Sequence, residues 1–528
     1  MAGSDDITPV AEPAREVARR EKAAEFLASH GDTSFTADEE KAVLRRVDMR
    51  ILPLLLGAYF FQQLDKSTLS YTSIFGLTDD AHLVGDQYSW LGSILYLAQL
   101  VMQPTAAFLL VKFPNGKVLA SAILLWGSSL AIMSACTNFP SLLGMRFVLG
   151  CFEAMIAPCC VAFTQTWWRR GEQTLRNSYW NAMNGLTLII GSLFTYGLGH
   201  IISEKLFRYQ IIFLFCGLLT VAYSIIVFWL IPDSPMEAKF LSDREKVIAT
   251  ERLRANQTGI AARKWRLDHV WETATDVKTY LWFVAITSIS IASGGISTFG
   301  SLIVKSFGYD SFTTILFNIP FGIIQMISIV GSAWLAKRFQ RKGLVIAIMS
   351  VFPTIGAIMM ITVPRNLKGV LLLGYLLISM MAGITPMIYN WQASNTAGDT
   401  KKKTTSAVVF VGMCLGNVIG PLLYSPDQAP LYRKGVVADL CMFVVVGVTS
   451  GLIPVYLKFL NKRHAKRREE LGKSAALVDE SMVTKEKIAE SKAVEIENAQ
   501  FPEHRTLEED NALHDVTDLC NEDFIYVY

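Results

Sequence analysis

From Ile51 to Leu460 the chain is a succession of long apolar runs separated by short polar connections. The runs do not alternate with a period of two, as half-buried strands would. Nor do most of them keep a polar stripe at helical spacing, as helices on a soluble surface would. Runs of about twenty apolar residues match the thickness of a bilayer core when helical. Twelve spans are predicted, at 51–74, 88–110, 117–136, 141–165, 178–201, 209–231, 280–303, 312–335, 343–363, 368–392, 405–424 and 436–459. The fold class is therefore an all-α membrane protein. The long connection from Pro232 to Lys278 is charged and helical in pattern, and it divides the spans six and six. That division predicts two six-helix bundles with a path between them, the layout of a rocking secondary transporter. The expected organisation is a segment 1–50, a bundle 51–231, a central loop 232–279, a second bundle 280–459 and a tail 460–528.

The connections carry the orientation signal. One set holds Lys112 and Lys117, then Arg169, Arg170 and Arg176, then Lys337, Arg338, Arg341 and Lys342, then Lys401, Lys402 and Lys403. The alternate set is poorer: Thr78–Gln87 carries Asp79, Asp80 and Asp86 with no basic residue. Basic loops stay inside, so both termini are expected in the cytosol. The Asn256-Gln-Thr glycosylation sequon then faces the cytosol and goes unused. Helical potential runs from Ala14 to Ser29, and Thr36 with Glu39 forms a capping box that launches a short amphipathic helix. The basic cluster after Leu460, KRHAKRREELGK, fits either contact with anionic lipid or an ordinary positive-inside flank.

Composition agrees with the pattern and adds little: 52% hydrophobic and 18% charged, with a net charge of +3, and a mean hydropathy of +0.35. The first residues, MAGSDDITPVAEPAREVARR, lack the apolar core of a cleavable signal. The eight cysteines show no metal-ligand spacing, and seven fall in or beside predicted spans. They read as small buried hydrophobes. No phosphate-binding glycine loop, zinc-binding H-E-x-x-H or nucleophile–base motif occurs, so an enzyme is not expected, nor are a metal or a cofactor. Gly294–Gly295 and Gly412–Gly416 read as sites of close helix packing.

Charge inside the spans is the informative departure. Asp65 and Lys66 lie in the first, Arg146 and Glu153 in the fourth. An ionised group at mid-bilayer costs at least ~2.5–3.5 kcal/mol, so such residues generally serve a task and face a partner or a wet cavity. The other reading is an Arg–Glu pair that merely staples helices. At ~1.5 Å per residue, Asp65 sits ~21 Å into a ~30 Å core and Arg146 ~9 Å from its outer edge, so the two can meet at one level. Glu153 falls ~10 Å deeper. Asp65 is thus expected to be held by Arg146. Glu153, less compensated, is the carboxyl expected to change charge, as proton coupling requires. Lys66 and Arg146 remain as cations for an anionic solute. Neutral polar residues in the spans are Asn181, Asn184, Gln325, Asn390, Gln392 and Asn417, each read first as a helix–helix hydrogen bond. Tyr59, Tyr96, Tyr389 and Trp391 are aromatic candidates for the lining of the path.

Several local motifs in order carry a resemblance. They are Asp65-Lys66, Arg146-Phe-Val-Leu-Gly150 leading to Glu153-Ala154, the Trp168-Arg169-Arg170 loop, and IPDSPMEAKFLSDREKVIATERL at 231–253. WQASNTAGDTKKK at 391–403, GNVIGPLLYSPDQAPLY at 416–432 and the final DVTDLCNEDFIYVY follow. With these the chain resembles the major facilitator superfamily, and within it the anion:cation symporter family and its fungal allantoate-permease-like branch. The resemblance implies proton-driven uptake of a small organic anion, of the allantoate, nicotinate or pantothenate type, across the plasma membrane. It implies proton coupling at Asp65 and Glu153 and substrate contacts at Lys66, Arg146 and Asn417. The expected partners are a small organic anion and protons in a lipid bilayer, with no nucleic acid, and the protein acting as a monomer. Asn181 and Asn390 complete the set of candidate substrate-binding residues. The chain departs from the family pattern where lysine stands at position 66 in place of the usual arginine. LVKFPNGK, between the second and third spans, also lacks the superfamily's loop aspartate. The fifth span lacks the Gly-Pro pair of drug:proton antiporters, which argues against efflux. A permease for peptides or other neutral solutes, and a non-transporting sensor of the same fold, remain the alternatives at this stage.

Overall fold

The computed structural model describes residues 35–254, 266–471 and 516–528. The helical pattern over Ala14–Ser29 and the Asn256 sequon lie outside the described residues. Among the described residues, eleven helices are long and apolar enough to cross a membrane. The first predicted span is not among them, yet it is a 23-residue helix, Leu52–Ile74. Gln62, Gln63, Asp65, Lys66 and a run of serines and threonines lower its hydropathy. Most of the buried residues of this helix, from Leu64 to Ile74, lie in that polar half. It packs against the fifth, sixth and seventh spans, so its polar side chains meet protein instead of lipid.

The remaining spans follow the expected order. They are Gln87–Lys112, Asn115–Met133, the paired helices Phe139–Glu153 and Ile156–Trp167, Arg170–Gly199 and Arg208–Leu230. In the second half come Val277–Lys305, then Ser311–Leu316 continuing as Asn318–Phe339, and Lys342–Thr362. Lys368–Ile378 resumes as Ile384–Ser394, followed by Asp399–Leu422 and Arg433–Glu470. The largest extensions beyond the predicted lengths are in the fifth helix, which starts at Arg170, and in the twelfth, which runs on through the basic cluster to Glu470. Outward-facing Phe228, Trp229, Ile327, Val330, Val448 and Val455 are exposed, as a lipid-facing surface requires.

Two spans are broken at corresponding places. The fourth stops at Glu153 and resumes at Ile156. Pro158 explains the break, because its ring excludes the hydrogen bond to the Ala154 carbonyl. The tenth passes through a 3₁₀ stretch, Ser379–Gly383, where Pro386 imposes the same constraint on the Ala382 carbonyl. Elsewhere packing is tight. A Cβ at Gly416 would lie 2.5 Å from the Thr287 carbonyl, and one at Gly294 3.0 Å from the Asn417 backbone. The seventh and eleventh helices therefore touch backbone to backbone through the predicted glycines.

The near face is the one bearing the central connection and the segment 516–528. Its first-half portion is tied by ion pairs. The leading helix Ala37–Arg50, whose capping box forms as expected, offers Glu40 to Arg169 at 2.6 Å and Asp48 to Arg176 at 2.7 Å. Arg252, in the helix Asp243–Arg254, reaches Glu172 at 2.6 Å. At the far face the two halves meet directly. Ser70 bonds Ser301, Tyr88 donates to the Thr298 carbonyl and Ser89 to that of Tyr424. Lys305 donates to the Ile74 carbonyl, and Phe75 and Tyr196 pack on Phe312.

Candidate functional site

Asp65 and Lys66 are neighbours in sequence but ~100° apart around their helix, and the structure sends them to different partners. Asp65 points into the first bundle and is fully buried. Its Oδ2 accepts from the Trp126 indole N–H of the third span and from Thr220 Oγ1 of the sixth, the latter at 3.2 Å. Its Oδ1 has no hydrogen-bond partner. The expected Asp65–Arg146 pair is not formed. Helical phase sends the carboxylate toward the third and sixth spans and away from the fourth.

The ion pair that does form is Lys66–Glu153, with Nζ 3.0 Å from Oε1. Side chains lean toward the start of their own helix. The first span starts at the near face and the fourth at the far face, so Lys66 leans toward Glu153 and Glu153 toward Lys66. That convergence closes the gap which backbone depth alone suggested. Glu153 is 1% exposed, whereas the Lys66 side chain keeps 20% of its surface. Lys66 also stands over the Tyr96 ring at 5.8 Å. Neither oxygen of Glu153 has a hydrogen-bond donor of good geometry. Among the described residues, Lys66 is the one cation within ion-pair distance of Glu153.

Arg146, on the same helix as Glu153, likewise leans toward the far face. Its Nε donates to the Leu91 carbonyl of the second span at 3.2 Å, and its Nη1 is buried without a hydrogen-bond partner. The guanidinium is thus anchored on backbone through Nε and keeps one buried donor unused.

The three asparagines are dispersed. Asn417 is buried, and its amide donates to the Met413 carbonyl of its own helix at 2.9 Å, so it makes no interhelical bond there. Asn181 is half-buried in the fifth span. Asn390 is exposed, one turn from the near-face end of its helix. Of the aromatic candidates, Tyr96 joins the site. Trp391 is fully buried against Trp282 and donates to the Val527 carbonyl, so it does not line the path. All eight cysteines are free, and five are buried. Cys441 and Cys520 are exposed and Cys151 is intermediate, contrary to the expectation of uniform burial. For Cys441 the helix phase turns the small side chain out of the bundle. Among the described residues no cluster of His, Cys, Asp or Glu could hold a metal ion.

Sequence reasoning missed three features here. Trp126 and Thr220 carry no signal in a single sequence. Asp439, a lone carboxylate in the apolar run of the twelfth span, does carry one; it is buried and accepts from the Tyr424 hydroxyl at 2.7 Å. Pro158 and Pro386 also carry one, since interrupted spans at matching positions of two halves mark the solute site of repeat-built transporters.

Comparison with known proteins agrees with this architecture. The family model described as Major Facilitator Superfamily matches residues 55–421. The chain is 31% identical to the allantoate permease of Saccharomyces cerevisiae over 479 residues, covering 88% of this chain and 87% of that one. It is 33% identical to the thiamine pathway transporter THI73 of the same yeast, over 81% of both chains. An uncharacterized transporter of Schizosaccharomyces pombe, C757.13, is 34% identical over 85% of this chain and 87% of its own. Among solved structures, an inward-facing, unoccupied bacterial homologue of the lysosomal transporter Spinster superposes with a TM-score of 0.59 at 11% identity, covering 79% of this chain and 96% of the other. A D-xylose–proton symporter gives 0.57 at 11%, covering 76% and 96%.

Proposed function

The chain belongs to the Major Facilitator Superfamily and is a multi-pass membrane transporter, and from that premise we propose that it imports a small carboxylate-bearing organic anion together with protons. The observation that carries this reading is the Lys66–Glu153 pair, one partner sealed and the other part-exposed, at the break in the fourth span. Breaking a buried ion pair from one side costs ~3–5 kcal/mol because the remaining charge is left uncompensated. Protonating Glu153 does this to Lys66. An incoming carboxylate restores the balance by taking the place of Glu153 beside the ammonium, with the free donor of Arg146 as its second contact. Proton and anion each make the other's binding more favourable, which is symport expressed as a coupling free energy. Asp65, buried against neutral donors, is a second candidate proton carrier. Asn181, Asn390 and Asn417 are secondary candidates for solute contact, Asn417 through its position between the seventh and eleventh spans.

The bias of basic residues supports a cytosolic near face, with both termini there. The far-face contacts between the halves then correspond to a closed outer gate. Allantoate permease and the thiamine pathway transporter are the relatives whose names point to a nitrogen-source metabolite or a vitamin, and the plasma membrane is the address that uptake requires. The monomer suffices for this cycle, because both halves lie in one chain.

The test is uptake by cells that lack their own carriers, using labelled allantoate, nicotinate, pantothenate and a neutral dipeptide at acidic and neutral external pH. The reading expects one carboxylate to be accumulated, faster at acidic pH, with accumulation abolished by a protonophore. Uptake of the dipeptide alone, or uptake indifferent to the protonophore, contradicts it.

A further inference from the structure

Residues 516–528 form the one described part of the chain beyond Leu471, and they lie across the near face of the second half. Two asparagines hold them by the backbone. Asn395 Oδ1 accepts from Val527 N at 2.8 Å while its Nδ2 donates to the Val527 carbonyl at 3.0 Å. Asn461 brackets Tyr526 in the same way, at 2.9 Å in both directions. Pairing a side-chain amide with both backbone groups of one residue is how a groove grips an extended segment without regard to its side chains. Arg468 donates to the Glu522 carbonyl at 2.6 Å, Trp391 to that of Val527 at 2.8 Å, and the Lys342 amide to that of Tyr528 at 2.7 Å.

Two side chains then act as anchors. Asp518 is fully buried between Lys278 and Lys401, with Lys401 at 3.0 Å. Tyr526 is 1% exposed, its ring 4.5 Å from the Lys278 ammonium and its hydroxyl 2.9 Å from Asp518 Oδ2. At the Asp518 anchor the two lysines already meet carboxylates of the groove itself. Lys401 contacts Glu272 at 2.8 Å and Asp276 at 2.9 Å, and Lys278 contacts Asp276 at 3.3 Å. Two cations thus face two carboxylates, and Asp518 arrives as a third. A socket whose lysines have carboxylates of its own to meet does not need its occupant in order to exist. These partners all belong to the second half. They come from the short helix Leu267–Thr275 and from the ends of the seventh, ninth, tenth, eleventh and twelfth spans, so docking leaves the two halves free to move against each other.

We propose that the near face of the second half is a peptide-binding groove, and that its ligand is the chain's own segment Val516–Tyr528, recognised by one buried aspartate, one buried tyrosine and two asparagine clamps. Occupied, the groove ties the ends of five spans into a single unit on the face opposite the gate contacts. The segment is an intramolecular ligand that can leave and return.

A protease site placed between residues 472 and 515 of the full-length protein tests this. After purification and cleavage, the released segment is expected to stay with the transporter through gel filtration. Labelled synthetic peptide of residues 516–528 is expected to exchange into the cleaved protein, and the same peptide with Asp518→Asn to bind at least tenfold more weakly. A segment that departs on cleavage overturns the proposal. So does one that never exchanges with added peptide, since it is then a permanent part of the fold, or an Asp518→Asn peptide that competes as well as the native one. Because the readout is binding and not transport, the outcome is independent of the solute and of the proton coupling.

Discussion

Within the spans of the first half Asp65, Arg146 and Glu153 are buried and Lys66 is part-exposed, and these four charges make one close ion pair. In the second half Lys278, Lys401, Asp276 and Asp518 gather at the near face, where each lysine meets at least two carboxylates. Deep in that half, Asp439 is buried with a tyrosine hydroxyl as its partner. The two sets differ in how their charges are compensated. A fully paired network rigidifies and specifies a structure. A sparsely paired one at membrane depth holds charges that a proton or a solute can complete. On the proposed reading the first half carries the chemistry, and the second supplies a braced wall for it to work against.

The sharpest way to break this contrast is Glu153→Gln, which leaves the shape and removes the titration. Accumulation of solute against its gradient should fall by the whole proton–solute coupling, on the order of 5–150-fold, while exchange of labelled for unlabelled solute persists. Loss of both activities in a well-folded protein would make Glu153 a structural residue. Next in size is Arg146→Lys. Lysine keeps the charge but loses the planar fork that holds the Leu91 carbonyl and offers a second donor, so KM should rise by about tenfold with little change in maximal rate. Trp126→Phe should act on Asp65 alone, costing ~1–3 kcal/mol of stability in a thermal melt and leaving KM unchanged. A change in KM there would connect Asp65 to the solute.

The smallest effect belongs to the braced half. Burial alone would raise the Asp518 carboxyl, but Lys278 and Lys401 beside it override that and hold it below the usual carboxylate range. A carboxyl whose folded value is depressed contributes stability that is fully present above its unfolded value and is lost as pH falls through the folded one. Acidification below the ordinary carboxylate range should therefore lower the melting temperature of the native protein more than that of Asp518→Asn. Equal slopes would mean that the pair contributes nothing to stability.

Most of the fold is legible because the bilayer enforces it. Apolar length, basic loops and one long charged connection leave few other arrangements. The charged residues are legible for the same reason, since Lys66 or Glu153 in an apolar run is conspicuous. Their pairing is not. Depth is set by counting residues, but the partner is set by angle around the helix and by the lean of each side chain, so depth alone matches Asp65 to a cation when its partners are the neutral Trp126 and Thr220. Trp126 and Thr220 look like ordinary span residues until the third and sixth helices are placed beside the first. The docking of Val516–Tyr528 is equally hidden, because its partners are spread from Glu272 to Arg468. Asp439, Pro158 and Pro386, by contrast, stand out in their apolar runs and are readable without the structure.

On the proposed reading, proton and solute bind through one exchangeable pair, Lys66–Glu153. Its most direct test is to reconstitute the protein in vesicles, impose a gradient of the transported carboxylate at equal pH on both sides, and follow internal pH. Wild-type protein should move protons in the direction of the solute, and Glu153→Gln should move solute without moving protons. Proton movement of native size in the Glu153→Gln protein would contradict the account.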